Sequence, residues 1–399
     1  MREHRLEVAD VFRQYGEAFL KRWGHTISSQ QRKALRDIGA CRTAALGGHL
    51  EYCDGCPHEV MAYNSCRNRS CPKCQSTARD RWLAERAKEL LPVPYCHVVF
   101  TVPQSLAMLI LQNAQLVYGL LFRAVSQTLL EIAADPRHLG AQVGFLAVLH
   151  SWSQNLLHHP HIHCVVPAGG LAPDGSRWIP CSRKFFLPVK VLSRLFRGKF
   201  LALLRDAHAR GKLQFHGKLT PLRTPARFHA FLRPLQNTEW VVYAKPPFGG
   251  PEYVLKYLAR YTHRVAISNG RLLSLENGQV TFQWRDSKDN NQIKAMTLDA
   301  VEFIRRFLLH ILPSGFVKIR HFGILSNRRR AAALNSCRAL LPQPVVPTAP
   351  ILSERQQAAV ERRCPVCKTG KMHTRRWLSA AELLAHFNHV EPMYQMDSS

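Results

Sequence analysis

Two groups of side chains in this sequence have the types and spacing to act on a phosphate. The first is His161-Ile162-His163, in a run from His161 to Val166 closed by Pro167, Gly169 and Gly170. Successive side chains on a strand point to opposite faces, so the two imidazoles share one face and Ile162 enters the other layer. Paired imidazoles on a sheet are half of a divalent-metal site. The second group is Tyr253, Tyr257 and Tyr261, spaced i, i+4, i+8 in a segment from Glu252 to Val265 with Val254, Leu255, Leu258 and Ala259 apolar. That spacing puts three phenols on one helix face, and equally suits an aromatic packing stripe. Together the groups fit one chemistry. A phenol with an unperturbed pKa of about 10 is a weak nucleophile at neutral pH. A divalent ion on the histidine pair, Mg²⁺ or Mn²⁺, would polarise a scissile phosphate and offset its growing charge. Attack by the phenolate would leave a phosphotyrosine and a free 3′-OH. The link conserves the phosphodiester's energy, so the strand can be resealed elsewhere without ATP, and two tyrosines would permit two successive transfers.

Cysteines supply a different chemistry. Cys53-x2-Cys56 and Cys71-x2-Cys74 have the spacing at which a tight turn aims two thiolates at one ion. Two such pairs about fifteen residues apart predict a closed, structural Zn²⁺ site. Cys41, His49 and Cys66 are candidates for a second zinc, with His58 as a fourth ligand; ordinary packing is the alternative. Arg67, Arg69 and Lys73, among other basic residues here, are candidate DNA-phosphate contacts, which position without reading sequence. Further on, Asn327-Arg328-Arg329-Arg330 is a second basic block, either a DNA contact or a solvated face. Near the end, Cys364-Pro365-Val366-Cys367 resembles half a zinc ribbon, with Cys337, His373, His386 and His389 as possible completing ligands.

The elements that must position these groups are legible in the periodicity. Val8, Phe12, Tyr15, Phe19 and Trp23 recur at helical spacing, and Ser28 or Ser29 offers an N-cap for a second helix through Ile38. Cys96 to Val102, Val143 to Trp152, His161 to Val166 and Trp240 to Ala244 read as strands, and roughly 105–133 as a helix. Asn269-Gly270 and Asn277-Gly278 are turn signals around Leu272, Leu273 and Leu275; with Val280 to Trp284 they predict a hairpin or small meander. Val301 to Ile311 reads as a helix, Phe316 to Ile319 as a strand, and Pro342 to Pro350, with four prolines, as a linker.

Composition bounds the partners. The 399 residues suggest two to three domains, and 46% apolar content excludes wholesale disorder. Lys and Arg total 55 against 27 Asp and Glu, a net charge of +28 that calls for a polyanionic partner, most simply nucleic acid. No basic amphipathic helix argues for a membrane surface. MREHRLEVAD has no apolar signal-peptide core, and Ser105 to Phe122, interrupted by Gln112, Asn113 and Gln115, reads as a buried helix rather than a span. A cytoplasmic protein is expected. Its twelve cysteines are then metal ligands more readily than disulfides.

These residues resemble a known family. CRTAALGGHLEYCDGC…YNSCRNRSCPKCQ is similar to the zinc-binding N-terminal domain of insertion sequence 91 family transposases, HPHIHCVVPAGG to their His-hydrophobe-His motif, and VLKYLARYTHRVAISNGRL to their tyrosine helix. FQWRDSKDN and IRHFGILSNRRR also resemble family segments, and the likeness runs in order from about residue 10 to 370. The resemblance implies an HUH-type transposase that cleaves and rejoins single-stranded transposon ends and target DNA by a rolling-circle-like route. It implies His161 and His163 as ligands of the catalytic ion and Tyr257 and Tyr261 as nucleophiles, with Tyr253 outside the match. A third ligand often comes from the tyrosine helix; Glu252 and His263 are the nearest candidates. The implied fold is α+β: a helical pair and zinc-ribbon-like module over 1–90, an HUH (Rep-like) antiparallel sheet with helices over 91–340, a linker over 341–360, and a small CxxC tail over 361–399. A rolling-circle initiator or relaxase would share the chemistry. A metal hydrolase would use the histidines to activate water, and a non-catalytic zinc-ribbon DNA-binding protein would use neither group.

Overall fold

Cys96, Val98 and Phe100, then Phe145, Ala147 and Leu149, then Ile162, Cys164 and Val166 are apolar at every second position and almost completely buried. That alternation builds one side of a five-stranded sheet. In the computed structural model, residues 5–184, 186–248, 253–254, 266–286, 289–342 and 361–388 are described. Among them the strands, in chain order, are β1 (Gly48–Cys53), β2 (Glu59–Tyr63), β3 (Tyr95–Thr101), β4 (Gly144–Trp152), β5 (His158–Pro167), β6 (Gly169–Leu171), β7 (Trp178–Pro180), β8 (Val242–Phe248), β9 (Leu272–Glu276), β10 (Gln279–Asp286), β11 (Gln292–Asp299), β12 (Ile319–Gly323) and β13 (Met372–Leu378). The central sheet has the order β12-β4-β5-β3-β8, and all neighbours are antiparallel. The protein is thus mixed α+β with antiparallel sheets.

Two long helices cover the first side of this sheet. Val117, Leu121, Phe122, Val125 and Leu129 of Ala114–Ala134, and Phe196, Phe200 and Leu204 of Val189–Ala209, join the strand residues in one core. Ala114–Ala134 is long and apolar enough to cross a membrane, but here its apolar residues pack on the sheet. The opposite side has a smaller core: Leu146, Val148 and Val165 pack with Leu83, Ile324, Leu334 and Val254. The helices therefore leave part of that side to polar side chains.

The N-terminal helices, Val8–Trp23 and Ser29–Gly39, pack with Cys41 and Cys71 of the cysteine module and also reach the C-terminal half of the chain. Ser28 caps the second through a capping box with Gln31. Phe12 meets Phe307 edge-on at 5.2 Å, and the pair shares a core with the β9-β10-β11 meander and Ala300–Leu308. Asn277 (φ 49°) and Gly278 (φ 75°) both take positive φ at the β9–β10 turn, which is why Asn-Gly occupies it. The cysteine module contributes β1 and β2, and the C-terminal segment is not a separate tail. Its strand β13 pairs antiparallel with β1 from Gly48↔Leu378 to Cys53↔Met372, making a sheet of order β13-β1-β2.

Candidate active site

β4 and β5 bring three imidazoles together. His161 and His163 alternate with buried Ile162, as their spacing requires. On the next strand His150 lies directly opposite His161, and Val148 opposite His163. One ring nitrogen from each of His150, His161 and His163 falls within 4.8 Å of the others. His150 is the residue that sequence reasoning missed. Val143 to Trp152 was legible as a strand, but its register against β5 was not.

The surroundings fix the rings in a state that suits a cation. Burial pushes the His161 pKa down to about 4, so the ring is neutral at pH 7. Its Nδ1 lies 2.7 Å from the His159 carbonyl oxygen. A carbonyl only accepts, so Nδ1 carries the proton and Nε2 presents its lone pair. The His163 Nδ1 shares a 2.9 Å hydrogen bond with the His97 Nε2, and the two rings stack. That bond leaves the His163 Nε2 as the nitrogen to face a cation. His97, on β3, is itself buried, which holds its pKa down at about 3. His161, held by the His159 carbonyl, and His163, held by His97, form with His150 a three-imidazole donor set able to hold a metal ion.

His150 also stacks on Trp152 at 4.6 Å. Beside Trp152 lies a second, separate pair, His158 and His310, stacked at 6.3 Å. The His310 Nε2 donates to the Leu156 carbonyl at 3.1 Å, so its Nδ1 accepts from the Ser151 hydroxyl at 3.3 Å. The His158 Nε2 shares a 2.9 Å bond with the Tyr118 hydroxyl. Burial holds these two rings neutral, with pKa values near 3 for His158 and 4 for His310.

Tyr257, Tyr261, Glu252 and His263 lie outside the described residues. Their flanks are described. Val254 is buried against Leu146, Val148 and Val165, on the same side of the sheet as the three histidines. Ala266, where description resumes, lines a small cavity with Trp152 and His310.

The thiols are grouped differently from the expected Cys53–Cys56–Cys71–Cys74 quartet. Cys71 and Cys74 meet Cys41 and Cys66, with all four sulfurs within 4.8 Å and neighbouring pairs at 3.6 Å. Cys71 precedes the helix Pro72–Ala87, whose first turn carries Cys74. Hydrogen bonds among the thiols pull Cys41 down and push Cys66 and Cys71 up, so the four close sulfurs divide their protons unequally. Cys53 and Cys56 instead meet Cys364 and Cys367. His49 belongs to neither group; its ring bonds Asn64 and Glu51 and packs on Trp377. His58 is outside both groups, and Cys337 is buried in the core beneath β4 and β5. His373 pairs with Asp54, and His389 lies outside the described residues, as does the side chain of His386.

The basic candidates also divide. Arg69 donates to the carbonyls of Phe316 (2.7 Å), Leu312 (2.9 Å) and Pro313 (2.5 Å), so its guanidinium is occupied within the fold. Lys73 is ion-paired with Glu7 at 3.0 Å and Arg330 with Glu89 at 3.3 Å. Arg67, Arg328 and Arg329 are exposed.

Comparison with known proteins accords with this arrangement. A family model described as "Putative transposase" matches residues 144–332, which contain all three histidines of the cluster. Another, described as "Transposase zinc-binding domain", matches residues 11–102, which contain Cys41, Cys66, Cys71 and Cys74. The chain is 55% identical over 379 residues to the "Putative transposase y4qJ" of Sinorhizobium fredii, covering 92% of this chain and 94% of that protein. It is 28% identical over 320 residues to the transposase for insertion sequence element IS801 of Pseudomonas savastanoi pv. phaseolicola, covering 77% of this chain and 74% of that one.

Proposed function

The chain belongs to the insertion sequence 91 family of transposases, and from that premise we propose that it cleaves and rejoins single-stranded DNA through an HUH-type site with a 5′-phosphotyrosine intermediate. The reading rests on the convergence of His150, His161 and His163 on the sheet side against which Val254 packs, three positions before Tyr257.

Each residue has a distinct task. His161, His163 and His150 hold a divalent ion, Mg²⁺ or Mn²⁺, which when bound polarises the scissile phosphate and offsets charge on its oxygens. The His159 carbonyl and His97 hold two of the rings in the ligating tautomer. The phenol oxygen of Tyr257 or Tyr261 attacks phosphorus; the new Tyr–O–P bond forms as the P–O3′ bond breaks. The phenol proton is given up and the departing 3′ oxygen gains one, so the strand ends as a free 3′-OH. Attack by a 3′-OH on the phosphotyrosine reverses these bonds and joins the strand to a new end. Exposed Arg67, Arg328 and Arg329 hold DNA backbone, and the Cys41–Cys66–Cys71–Cys74 group holds a structural Zn²⁺.

The test is a labelled single strand carrying the element's terminus, incubated with Mn²⁺ and resolved on a denaturing gel. The wild-type chain gives a covalent protein–DNA band. The Tyr257→Phe, Tyr261→Phe double variant keeps DNA binding and loses the band. A band that survives the double change overturns the tyrosine assignment. Cleavage without any protein-linked product points instead to water activated at the histidines.

A further inference from the structure

We propose that Cys53, Cys56, Cys364 and Cys367 bind a second structural Zn²⁺, which fastens the C-terminal segment to the N-terminal module as the two halves of one zinc ribbon. This site does not depend on the catalytic reading, and half of its ligands lie outside the residues 11–102 that match the zinc-binding family model.

The geometry is that of a tetrahedral tetrathiolate. Cys53 and Cys367 have sulfurs 3.6 Å apart, Cys56 and Cys364 3.8 Å, and all four lie within 4.8 Å of one another. A tetrahedron of sulfurs about 2.3 Å from a central zinc has edges of about 3.8 Å. A disulfide would require a separation near 2.05 Å. The backbone is arranged for thiolates as well. Gly55 N–H points at the Cys53 sulfur (3.3 Å), Val366 N–H at Cys364 (3.4 Å) and Gly370 N–H at Cys367 (3.3 Å). Three N–H···S bonds stabilise negative charge on sulfur, which is the form that takes zinc.

Two further features show that the halves are built for each other. A Cβ on Gly370 would sit 2.5 Å from the Cys53 sulfur and 2.9 Å from the Gly55 nitrogen, so only glycine lets the two knuckles approach. Around the cysteines, β1 and β13 pair along their length, while the apolar support is slight: Met372, with Val60 packed against the thiols. A three-stranded sheet with so small a core needs a staple, and a bound metal provides one.

The experiment counts metal in the full chain by native mass spectrometry and elemental analysis. Wild type holds two zinc ions per chain. The Cys364→Ser, Cys367→Ser variant holds one, and Gly370→Val, which leaves all the cysteines in place, also holds one. Two zinc ions in the folded serine variant overturn the assignment. As a check that does not depend on variants folding, a specific protease site is inserted between Pro342 and Glu361 of the otherwise unchanged chain. After cleavage, the C-terminal piece stays bound to the remainder and separates when a zinc chelator is added. Separation without the chelator, or retention despite complete zinc removal, overturns the proposal.

Discussion

His150 and His161 face each other across adjacent antiparallel strands, with ring centroids 5.4 Å apart and planes nearly perpendicular. A directly opposed pair on one sheet side is held by two backbones at once, so its spacing is set by the sheet and not by side-chain freedom. With His163 two residues further along β5, three ligands come from two rigid strands. The cluster therefore needs no ligand from Glu252 or His263 to reach three donors.

His150→Ala removes one of those donors. Mn²⁺ affinity, measured by isothermal titration calorimetry, is expected to fall by more than the ~10–100-fold typical of losing an outer-shell partner. Unchanged affinity in a folded variant would exclude His150 from the ion site.

His97→Phe keeps a flat ring in place and removes the bond to the His163 Nδ1. The expected loss in Mn²⁺ affinity is ~10–100-fold. Raising Mn²⁺ should restore much of the strand cleavage, because the ligands themselves remain. Loss of cleavage that no Mn²⁺ concentration rescues would give His97 a different role.

Tyr257→Phe and Tyr261→Phe, made singly, divide the labour between the two phenols. If one tyrosine makes the first cut, its variant loses the covalent band while the other loses only the later transfer. Equal, full retention of both steps in both single variants would mean that the phenols substitute for each other.

Arg69→Met deletes a guanidinium that three backbone carbonyls share. Bonds from a charged donor contribute roughly 1.5–3 kcal/mol each, but desolvating the half-buried guanidinium offsets part of that sum, so a net fall in stability of about 3 kcal/mol is expected in urea denaturation. DNA affinity of the folded variant should change less than ~2-fold. A large affinity loss with unchanged stability would restore Arg69 to the DNA contacts.

Acidification should weaken the fold through His158 and His310. Both rings titrate far below the ordinary histidine value of 6.5, at about 3 and about 4, because burial disfavours their charged forms. The unfolded chain thus takes up protons that the folded chain refuses, and their contribution is fully present above pH 6.5. It declines as pH falls toward 4. At pH 5 the loss approaches about 2 kcal/mol per ring. A lower urea midpoint at pH 5 than at pH 7.5, reduced in a His310→Gln variant, is the expected result; an equal midpoint at both pH values would refute it.

Much of this was readable from local pattern. Alternating Cys96, Val98 and Phe100 gave a strand, the repeat from Val8 to Trp23 a helix, and Asn277-Gly278 a turn, because each depends on neighbours a few positions away. The parity of His161 and His163 fixed their common side without any knowledge of the fold. What remained hidden was register and partnership. His150 sat in a visible strand, but only the pairing of β4 with β5 turns it toward His161. Cysteine spacing picked out pairs of thiols that do lie in clusters and could not say which pairs meet, since Cys53–Cys56 fits Cys364–Cys367 as well as Cys71–Cys74. Charge alone could not separate Arg69, consumed by carbonyls, from exposed Arg67.

The pairing of β1 with β13 has a consequence for synthesis on the ribosome. Cys53 emerges early, yet its sulfur partner Cys367 is 314 positions away. Until β13 has been made, one edge of β1 and two thiols of the growing polypeptide wait without their intended neighbours. A product cut short before Cys364 would carry that gap permanently, so synthesis through Cys367 is itself a condition for closing the module that holds Cys53.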